Sequence, residues 1–331
     1  MTARAVLLTL FLAACGGDDD GGGGNGDAGE HPDGGGGGQG WEPLADLPSG
    51  PIQETAVVEV DGLIYVLGGI DAGIQTVAQV LIYDPSDDSW DSGPDLPTEV
   101  HHANAAVVDG TIYVAGSLAP NFDPIDQVWS WTPGDEAWST DHAPMPAPAR
   151  GAAAVGAVDG RIVVAGGSAA AGSSAAVSIY DPAGDAWDES PDPLPIPLDH
   201  ATGQVVEGNL HVIGGRSNGI VAVSAEVFRY GDGSWTPRAP MPTARGGIAS
   251  GVVNGRIVVV GGEGNRDAES GVFPQTELYD PAADAWTSLE DMRTPRHGMG
   301  AAGVDGALYV PGGANVQAFG AVATHEVLHL E

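Results

Sequence analysis

The chain of 331 residues carries 45 acidic and only 11 basic side chains, all of them arginine, so its formal net charge is −34. Because nucleic-acid backbones and anionic lipids are bound by clustered Lys and Arg, this balance argues against a nucleic-acid-binding protein and against electrostatic attachment to a membrane. A single cysteine excludes a disulfide scaffold, whereas 42% hydrophobic residues are enough for a packed core.

The first 14 residues have the pattern of an export signal. Arg4 is followed by about ten mostly apolar residues, a run too short to cross a bilayer of roughly 30 Å as a helix. The run leads into Leu12-Ala13-Ala14-Cys15, which resembles the bacterial lipobox, where the cysteine is lipidated and becomes the mature N-terminus. The sequence therefore predicts a signal peptide over 1–14 and a lipid anchor at Cys15. It predicts a protein of the bacterial cell envelope, at the outer membrane because Gly16 follows the cysteine.

The segment after the cysteine is predicted to be a disordered tether over 15–40. Residues 16–40 contain 14 glycines, six acidic residues and no large apolar side chain. Such a composition cannot offset the entropy lost on ordering, and a Gly-rich chain of this length reaches roughly 25–30 Å. An Asp-rich calcium loop is an alternative, but the Asp spacing does not follow an EF-hand pattern.

From residue 41 onwards two sequence markers recur about every 48 residues. Tryptophans stand at 41, 90, 138, 187, 235 and 286, and pairs of small residues begin at 68, 116, 166, 214, 261 and 312. Within each unit an Asp-Gly, Glu-Gly or Asn-Gly turn joins two apolar runs, and in three units Tyr-Asp-Pro precedes the tryptophan. This pattern predicts four short antiparallel strands per unit and no helix.

The paired glycines, the Tyr-Asp-Pro, the tryptophan and their period together resemble kelch repeats over the whole of 41–331. The resemblance implies an all-β fold, a six-bladed β-propeller. The last unit, ending at 325–331, lacks a fourth strand, whereas an unmatched fourth strand stands at 41–48. We therefore expect the N-terminal strand to complete the last blade and close one domain, which removes exposed sheet edges.

Candidate binding residues stand where each innermost strand begins and in the adjacent loops. The loops after the glycine pairs vary in length, which favours a binding site on their face. The candidates are Glu54, His101, His102, Arg150, Asp199, His200, Arg216, Arg245, Arg266, Arg296 and His297. Because arginine suits carboxylates, they predict an anionic small molecule or acidic glycan. Alternatively, the arginines hold neighbouring blades together or pair with acids such as Glu54 and Asp199.

The sequence contains no nucleophile elbow, phosphate-binding loop or His-x-x-x-His pair. Copper enzymes resembling galactose oxidase need a Cys-linked tyrosine, for which the mature domain has no free cysteine. The sequence therefore favours a monomeric, surface-tethered, non-enzymatic binding module for a glycan or another envelope protein, with no cofactor. The alternatives are a sugar-converting enzyme similar to the kelch-type sialic acid mutarotases and a structural envelope lipoprotein. A transition metal at His101, His102 and His200 is a further alternative.

Overall fold

The computed structural model describes residues 40–188 and 191–330, and every regular element within them is a β-strand. In chain order the strands are β1 (Gly40–Pro43), β2 (Ile52–Gln53), β3 (Ala56–Val60), β4 (Leu63–Leu67), β5 (Ile70–Asp71), β6 (Val80–Asp84), β7 (Ser89–Ser92), β8 (Ala105–Val108), β9 (Thr111–Leu118), β10 (Pro124–Trp131), β11 (Arg150–Gly151), β12 (Ala154–Val158), β13 (Arg161–Ala165), β14 (Ser168–Ala169), β15 (Gly172–Ser173), β16 (Val177–Asp181), β17 (Ala186–Trp187), β18 (Thr202–Val206), β19 (Asn209–Ile213), β20 (Val227–Gly231), β21 (Ser234–Arg238), β22 (Ala249–Val253), β23 (Arg256–Val260), β24 (Thr276–Asp280), β25 (Ala285–Ser288), β26 (Ala302–Val304), β27 (Ala307–Pro311) and β28 (His325–His329). The all-β prediction is confirmed.

Part of the sequence prediction lies outside these residues. The signal peptide, the lipidated Cys15 and the tether up to residue 39 are not among the described residues. Over the ranges that are described, no helix has the length and apolar character needed to cross a membrane.

The long strands form six antiparallel sheets, one for each sequence unit. Their strand orders are β3-β4-β6-β7 in sheet 1, β8-β9-β10 in sheet 2, β12-β13-β16-β17 in sheet 3, β18-β19-β20-β21 in sheet 4, β22-β23-β24-β25 in sheet 5 and β26-β27-β28-β1 in sheet 6. Two small sheets, β2-β5 and β11-β14-β15, lie beside them. In sheet 2 the predicted fourth strand is reduced to one bridge between Ser130 and Ser139. In sheet 6 the fourth strand is β1, with Trp41 opposite Leu328.

The core lies in layers between successive sheets. Leu67 of sheet 1 packs in one buried cluster with Trp129 of sheet 2, and Tyr83 of sheet 1 packs in another with Tyr309 of sheet 6. The innermost strands β3, β8, β12, β18, β22 and β26 contact one another in that order, and β26 also contacts β3. Each sheet thus buries both faces of its apolar strands, which explains the continuous apolar runs in the sequence.

The periodic tryptophans tie each sheet to the preceding one. The indole N–H of Trp90 donates to the carbonyl of Ala45, which follows β1, at 3.0 Å, and that of Trp41 donates to Glu290, which follows β25, at 3.1 Å. Trp138, Trp187, Trp235 and Trp286 make the same bond to Pro94, Ala143, Asp192 and Ala239. All six tryptophans therefore have one role, which explains their regular spacing.

His325 makes the packing between sheets 6 and 1 sensitive to acid. Its ring is buried 4.3 Å from the ring centre of Tyr83, and neither ring nitrogen has a hydrogen-bond partner among the described residues. Burial, together with the charge of Arg296, lowers the pKa of His325 to about 3. The unfolded chain, with a histidine pKa near about 6.5, binds a proton that the folded chain does not. Stability contributed by the neutral ring is therefore present above pH ~6.5 and lost as the pH falls towards ~3.

We expect His325→Phe to remove this acid sensitivity. At pH ~4.5 the wild-type protein should have lost about 2–3 kcal/mol through this histidine, and the variant should retain it. Urea unfolding at pH ~7 and ~4.5 measures the difference. His329→Gln changes a partly exposed histidine of the same strand and serves as the control. An unchanged pH dependence in His325→Phe would contradict the assignment.

Candidate functional site

Six residues, one just before each innermost strand, form a ring of backbone hydrogen bonds. They are Glu54, His102, Ala152, His200, Gly247 and Gly298. The N–H of His102 donates to the carbonyl of Glu54 at 3.0 Å, and each following residue donates to its predecessor. The N–H of Glu54 donates in turn to the carbonyl of Gly298, so the six hydrogen bonds form a complete cycle. The six strand starts therefore converge on one small region of the molecule.

All six ring residues have left-handed backbone conformations. The φ angles are +56° at Glu54, +52° at His102, +53° at Ala152, +53° at His200, +63° at Gly247 and +60° at Gly298. Glycine adopts this conformation readily, but for other residues it has a conformational free-energy cost of order 1–3 kcal/mol. A Cβ on Gly298 would lie 2.5 Å from Oε1 of Glu54, so this glycine leaves room for the carboxylate. The ring thus holds Glu54, His102 and His200 in a strained conformation that favours a functional role for them.

The side chains of these three residues converge. Nε2 of His102 lies 3.0 Å from Oε2 of Glu54 and 3.0 Å from Nε2 of His200. All three side chains are less than 10% exposed. The arrangement brings two imidazoles and one carboxylate to a common point.

A second set of side chains surrounds this triad. Nδ1 of His200 lies 2.6 Å from Oδ1 of Asp199, and Nδ1 of His102 lies 2.5 Å from Nδ1 of His101. Arg216 donates through Nε to Asp199 at 3.0 Å and through one terminal nitrogen to Glu263. On the other side, Nδ1 of His297 is 3.7 Å from carboxylate oxygens of both Glu54 and Glu263. We call the triad and these five residues the axial cluster.

The axial cluster stabilises ionised carboxylates and neutral imidazoles. Burial alone would raise the pKa of Glu54, but His102 holds it well below its usual value through its charge and hydrogen bond. Burial would also raise the pKa of Asp199, which the hydrogen bond from His200 lowers. Burial lowers the pKa of His101 to about 3, and burial and the charge of Arg216 lower that of His200. At neutral pH, Glu54 and Asp199 are therefore anionic and His101 and His200 uncharged.

A cavity of about 160 Å³ adjoins the triad. Glu54, His102 and His200 line it together with residues of five innermost strands, β3, β8, β12, β18 and β22, and of the turns before all six. A second cavity, of about 400 Å³, is lined by later residues of the same strands and shares Val57, Ala105 and Gln204 with the first. The two cavities therefore follow one another along the innermost strands. The first is smaller than the ~300–1,000 Å³ typical of drug-sized ligands, and it suits an ion or a small polar group.

Three of the predicted ligand-binding arginines lie inside their own sheets. Arg150, Arg245 and Arg296 are fully buried, and each donates to carbonyls of the neighbouring strand, as Arg245 does to Gly261 at 2.7 Å. Arg245 also pairs with Glu277, and Arg296 pairs with Glu326 at 2.6 Å. The expectation that these three face a ligand is corrected, because their guanidinium groups are buried within the sheets and donate there.

Of the eleven predicted residues, the structure brings seven together and leaves four apart. The seven are Glu54, His101, His102, Asp199, His200, Arg216 and His297, and the four are Arg150, Arg245, Arg266 and Arg296. Arg266 lies exposed on the loop after β23. The sequence interpretation missed Glu263, which directly follows a glycine pair, as Arg216 does one unit earlier. Because Glu263 and Arg216 share this position, the sequence could have indicated Glu263 as a site residue.

The axial cluster does not favour the predicted anionic ligand. Arg216 is its one arginine, and that arginine is already paired with Asp199 and Glu263. With Glu54 the cluster contains three acidic side chains against this one cation. Its formal charge with neutral histidines is thus negative, so it repels an anion.

Comparison with known proteins agrees with the repeat pattern. The kelch motif matches residues 53–97, 149–194 and 244–293. The chain carries kelch repeats. It is 34% identical over 287 residues to kelch-like protein terF of Aspergillus terreus, covering 82% of this chain and 52% of that protein. It is 42% identical over 113 residues to an F-box/kelch-repeat protein of Arabidopsis thaliana, covering 33% of this chain and 29% of that protein. The kelch chain thus spans about half the length or less of these relatives.

A solved structure has the same fold. The structure of YjhT superposes with a TM-score of 0.74 at 15% sequence identity and covers 87% of this chain and 97% of that chain. At this identity the likeness concerns the fold alone. Together with the six sheets and the kelch motifs it identifies a β-propeller architecture.

Proposed function

We propose that this kelch protein is a closed six-bladed propeller that acts as a non-enzymatic binding module for another protein. Closure is supported by the contact of β26 with β3, by the backbone ring that returns from Gly298 to Glu54, and by β1 as the outer strand of sheet 6. A closed ring gives a rigid frame, and the loops at one end of such a frame are where binding surfaces usually lie.

One observation carries the binding proposal: the large apolar side chains that are exposed all lie in one class of loop. Among the described residues these are Ile74, Phe122, Val221, Val316 and Phe319, with exposed fractions of 42–57%. Each belongs to the connection that follows the glycine pair of its unit and joins the second and third strands of a sheet. We call this set the apolar loop face. All five therefore lie at the same ends of the strands, on the side of the molecule where the loops vary in length, and exposed apolar groups on such loops suit a protein interaction surface.

The apolar loop face is built by ordered turns. Ile74 and Phe122 have φ angles of +58° and +65°, which are unfavourable for a β-branched and an aromatic residue. Oδ1 of Asp71 accepts hydrogen bonds from the N–H groups of Gly73 and Gln75, each at 2.8 Å, which fixes the turn that exposes Ile74. Strain at exposed apolar tips has no benefit for folding, which supports a role in binding.

The composition of this face favours a protein over a glycan. Three of its five members are aliphatic, so only Phe122 and Phe319 present an aromatic face on which a sugar ring could stack. The chain has 45 acidic and 11 basic residues, so a partner with a basic rim around an apolar centre is favoured electrostatically. We propose a partner of that chemistry in the cell envelope, where the predicted signal peptide and Cys15 would anchor this protein by lipid.

Site-specific photo-crosslinking in the intact, exported protein tests this proposal. A photoreactive residue at Phe122 or Phe319 should give a crosslink to one discrete protein, and Phe122→Asp should abolish the crosslink formed from position 319. The same probe at Asp61 or Asp159, exposed in the turns at the other ends of the strands, is the matched control and should give none. Equal crosslinking from all four positions, or a glycan as the captured partner, would contradict the proposal.

A sugar-converting enzyme, the mutarotase alternative, is a second candidate. The cavity favours it, because Glu54 and His200 each lie 3.0 Å from His102, which places acid and base groups beside a space for a small polar ligand. Proton NMR of freshly dissolved sialic acid measures the rate at which its anomers equilibrate. A rate that is unchanged by the protein would remove this candidate.

A further inference from the structure

We infer that Glu54, His102 and His200 bind a divalent transition-metal ion at the centre of the backbone ring. This inference concerns the axial cluster and goes beyond the proposed partner binding, which rests on different residues. The triad is a group of three ligating atoms, one per residue, that all lie within 4.8 Å of one another. Each atom comes from a different sheet, so a bound ion would join sheets 1, 2 and 4.

The distances suit such an ion. In a tetrahedral site, metal–ligand bonds of about 2.0–2.2 Å to imidazole nitrogen and carboxylate oxygen place neighbouring ligand atoms about 3.3–3.6 Å apart. The two contacts of His102 Nε2, to Glu54 Oε2 and to His200 Nε2, are both 3.0 Å. The third pair, Glu54 and His200, lies within 4.8 Å, so side-chain movements of about 1 Å would complete the site. Two histidines with one carboxylate are a donor set of zinc and of non-haem iron(II), and they leave coordination positions open.

The residues behind the triad orient the imidazoles for ligation. The terminal nitrogen of Arg216 that lies 3.0 Å from Nε2 of His200 can only donate, so Nε2 of His200 accepts and carries a lone pair. Its Nδ1 then carries the proton and donates to Asp199 at 2.6 Å. A carboxylate behind a histidine in this way is the usual support of a metal-binding imidazole. On His102, the Nδ1 contact with His101 leaves Nε2 facing the triad.

The charge of the axial cluster favours a divalent cation. Apart from its histidines, the cluster carries three acidic side chains, Glu54, Asp199 and Glu263, and one basic side chain, Arg216, so its formal charge has an excess of two negative charges. Glu263 is only 2% exposed, so solvent screens this excess poorly. An ion displaces the contact between Arg216 and His200 and takes the place of the hydrogen bond between His102 and Glu54, whereas Arg216 keeps its bonds to Asp199 and Glu263.

The proposal is tested by titrating the whole, chelator-treated protein with Zn²⁺ in a calorimeter and with Co²⁺ in an absorption spectrometer. We expect one tight equivalent of Zn²⁺, a visible Co²⁺ spectrum with nitrogen ligands, and a higher melting temperature with Zn²⁺. His200→Ala and His102→Ala should weaken the tight site at least about 100-fold, and Asp199→Asn by about 10–100-fold.

Two matched controls separate this site from adventitious binding. His329→Ala removes a histidine far along β28, and His31→Ala removes one from the acidic segment that precedes β1; neither should change the tight equivalent. Tight binding that His31→Ala abolishes, or that His102→Ala and His200→Ala leave intact, would overturn the proposal. Weak binding at many sites of the wild-type protein, without a Co²⁺–imidazole spectrum, would also overturn the proposal. This outcome does not depend on whether any variant folds. Crosslinking at Phe122 is measured separately, so either proposal can fail alone.

Discussion

Replacing Arg245 with leucine should lower the free energy of unfolding by about 3–5 kcal/mol. The guanidinium is fully buried and pairs with Glu277, which is 2% exposed. Without Arg245 the Glu277 carboxylate is left in the core without a counter-charge, and the carbonyls of Gly261 and Val259 lose their donors. Urea unfolding at neutral pH measures the loss.

The other sequence units show how that loss can be recovered. In sheets 5 and 6 the pairs Arg245/Glu277 and Arg296/Glu326 occupy positions that in sheet 4 hold Leu198 and Phe228. Because a well-packed apolar pair often replaces a buried ion pair without loss, Arg245→Leu with Glu277→Phe should regain most of the stability lost in Arg245→Leu alone.

Arg150 provides the matched control for this experiment. It has the same position in sheet 3, but Ser178 stands where Glu277 stands in sheet 5, and burial lowers the pKa of Arg150 to about 10. Arg150→Leu leaves no buried carboxylate without a counter-charge. It should therefore lower the free energy of unfolding by about 1–3 kcal/mol less than Arg245→Leu does. If Arg245→Leu kept full stability and instead lost affinity for an acidic glycan, the arginine would be a ligand-binding residue after all.

The register of the repeat explains why the fold was predictable and the role of the arginines was not. The glycine pairs and tryptophans are backbone and packing markers, so their period gives the six sheets directly. For the candidate site, the sequence pattern indicates only a window of three positions before each innermost strand. Arg150, Arg245 and Arg296 stand two positions before Ala152, Gly247 and Gly298 of the backbone ring.

Two positions before the ring residues of the other units stand Ile52, Val100 and Leu198, all at most 1% exposed. The arginines thus occupy a core position, which a comparison of the six units in strict register indicates. The ring residues themselves carry the side chains that meet at the axis. Distances such as the 3.0 Å between His102 and His200 depend on how the sheets pack against one another, so they could not be derived from spacing along the chain.

Trp41→Ala should also cost about 3–5 kcal/mol, the range expected for removing a buried tryptophan. Trp41 is 5% exposed, packs with Leu278 of sheet 5 and Leu308 of sheet 6, and donates its indole N–H to Glu290. If β1 closes the propeller, this residue joins the N-terminal strand to sheets 5 and 6 near the other end of the sequence, and its loss weakens the whole ring. Thermal and urea unfolding of the full chain measure the effect.

Trp286→Ala is the control, because Trp286 makes the equivalent bond to Ala239 between two sheets that are consecutive in the chain. In a closed propeller each junction supports the others, so both variants should unfold in one transition and with losses of similar size. Suppose that Trp41→Ala lowered the free energy of unfolding by less than about 1 kcal/mol while Trp286→Ala lowered it by the expected amount. That result would mean that β1 is a dispensable edge strand. A separate early transition confined to sheet 6 would likewise contradict closure, since it would show that this sheet unfolds without the rest.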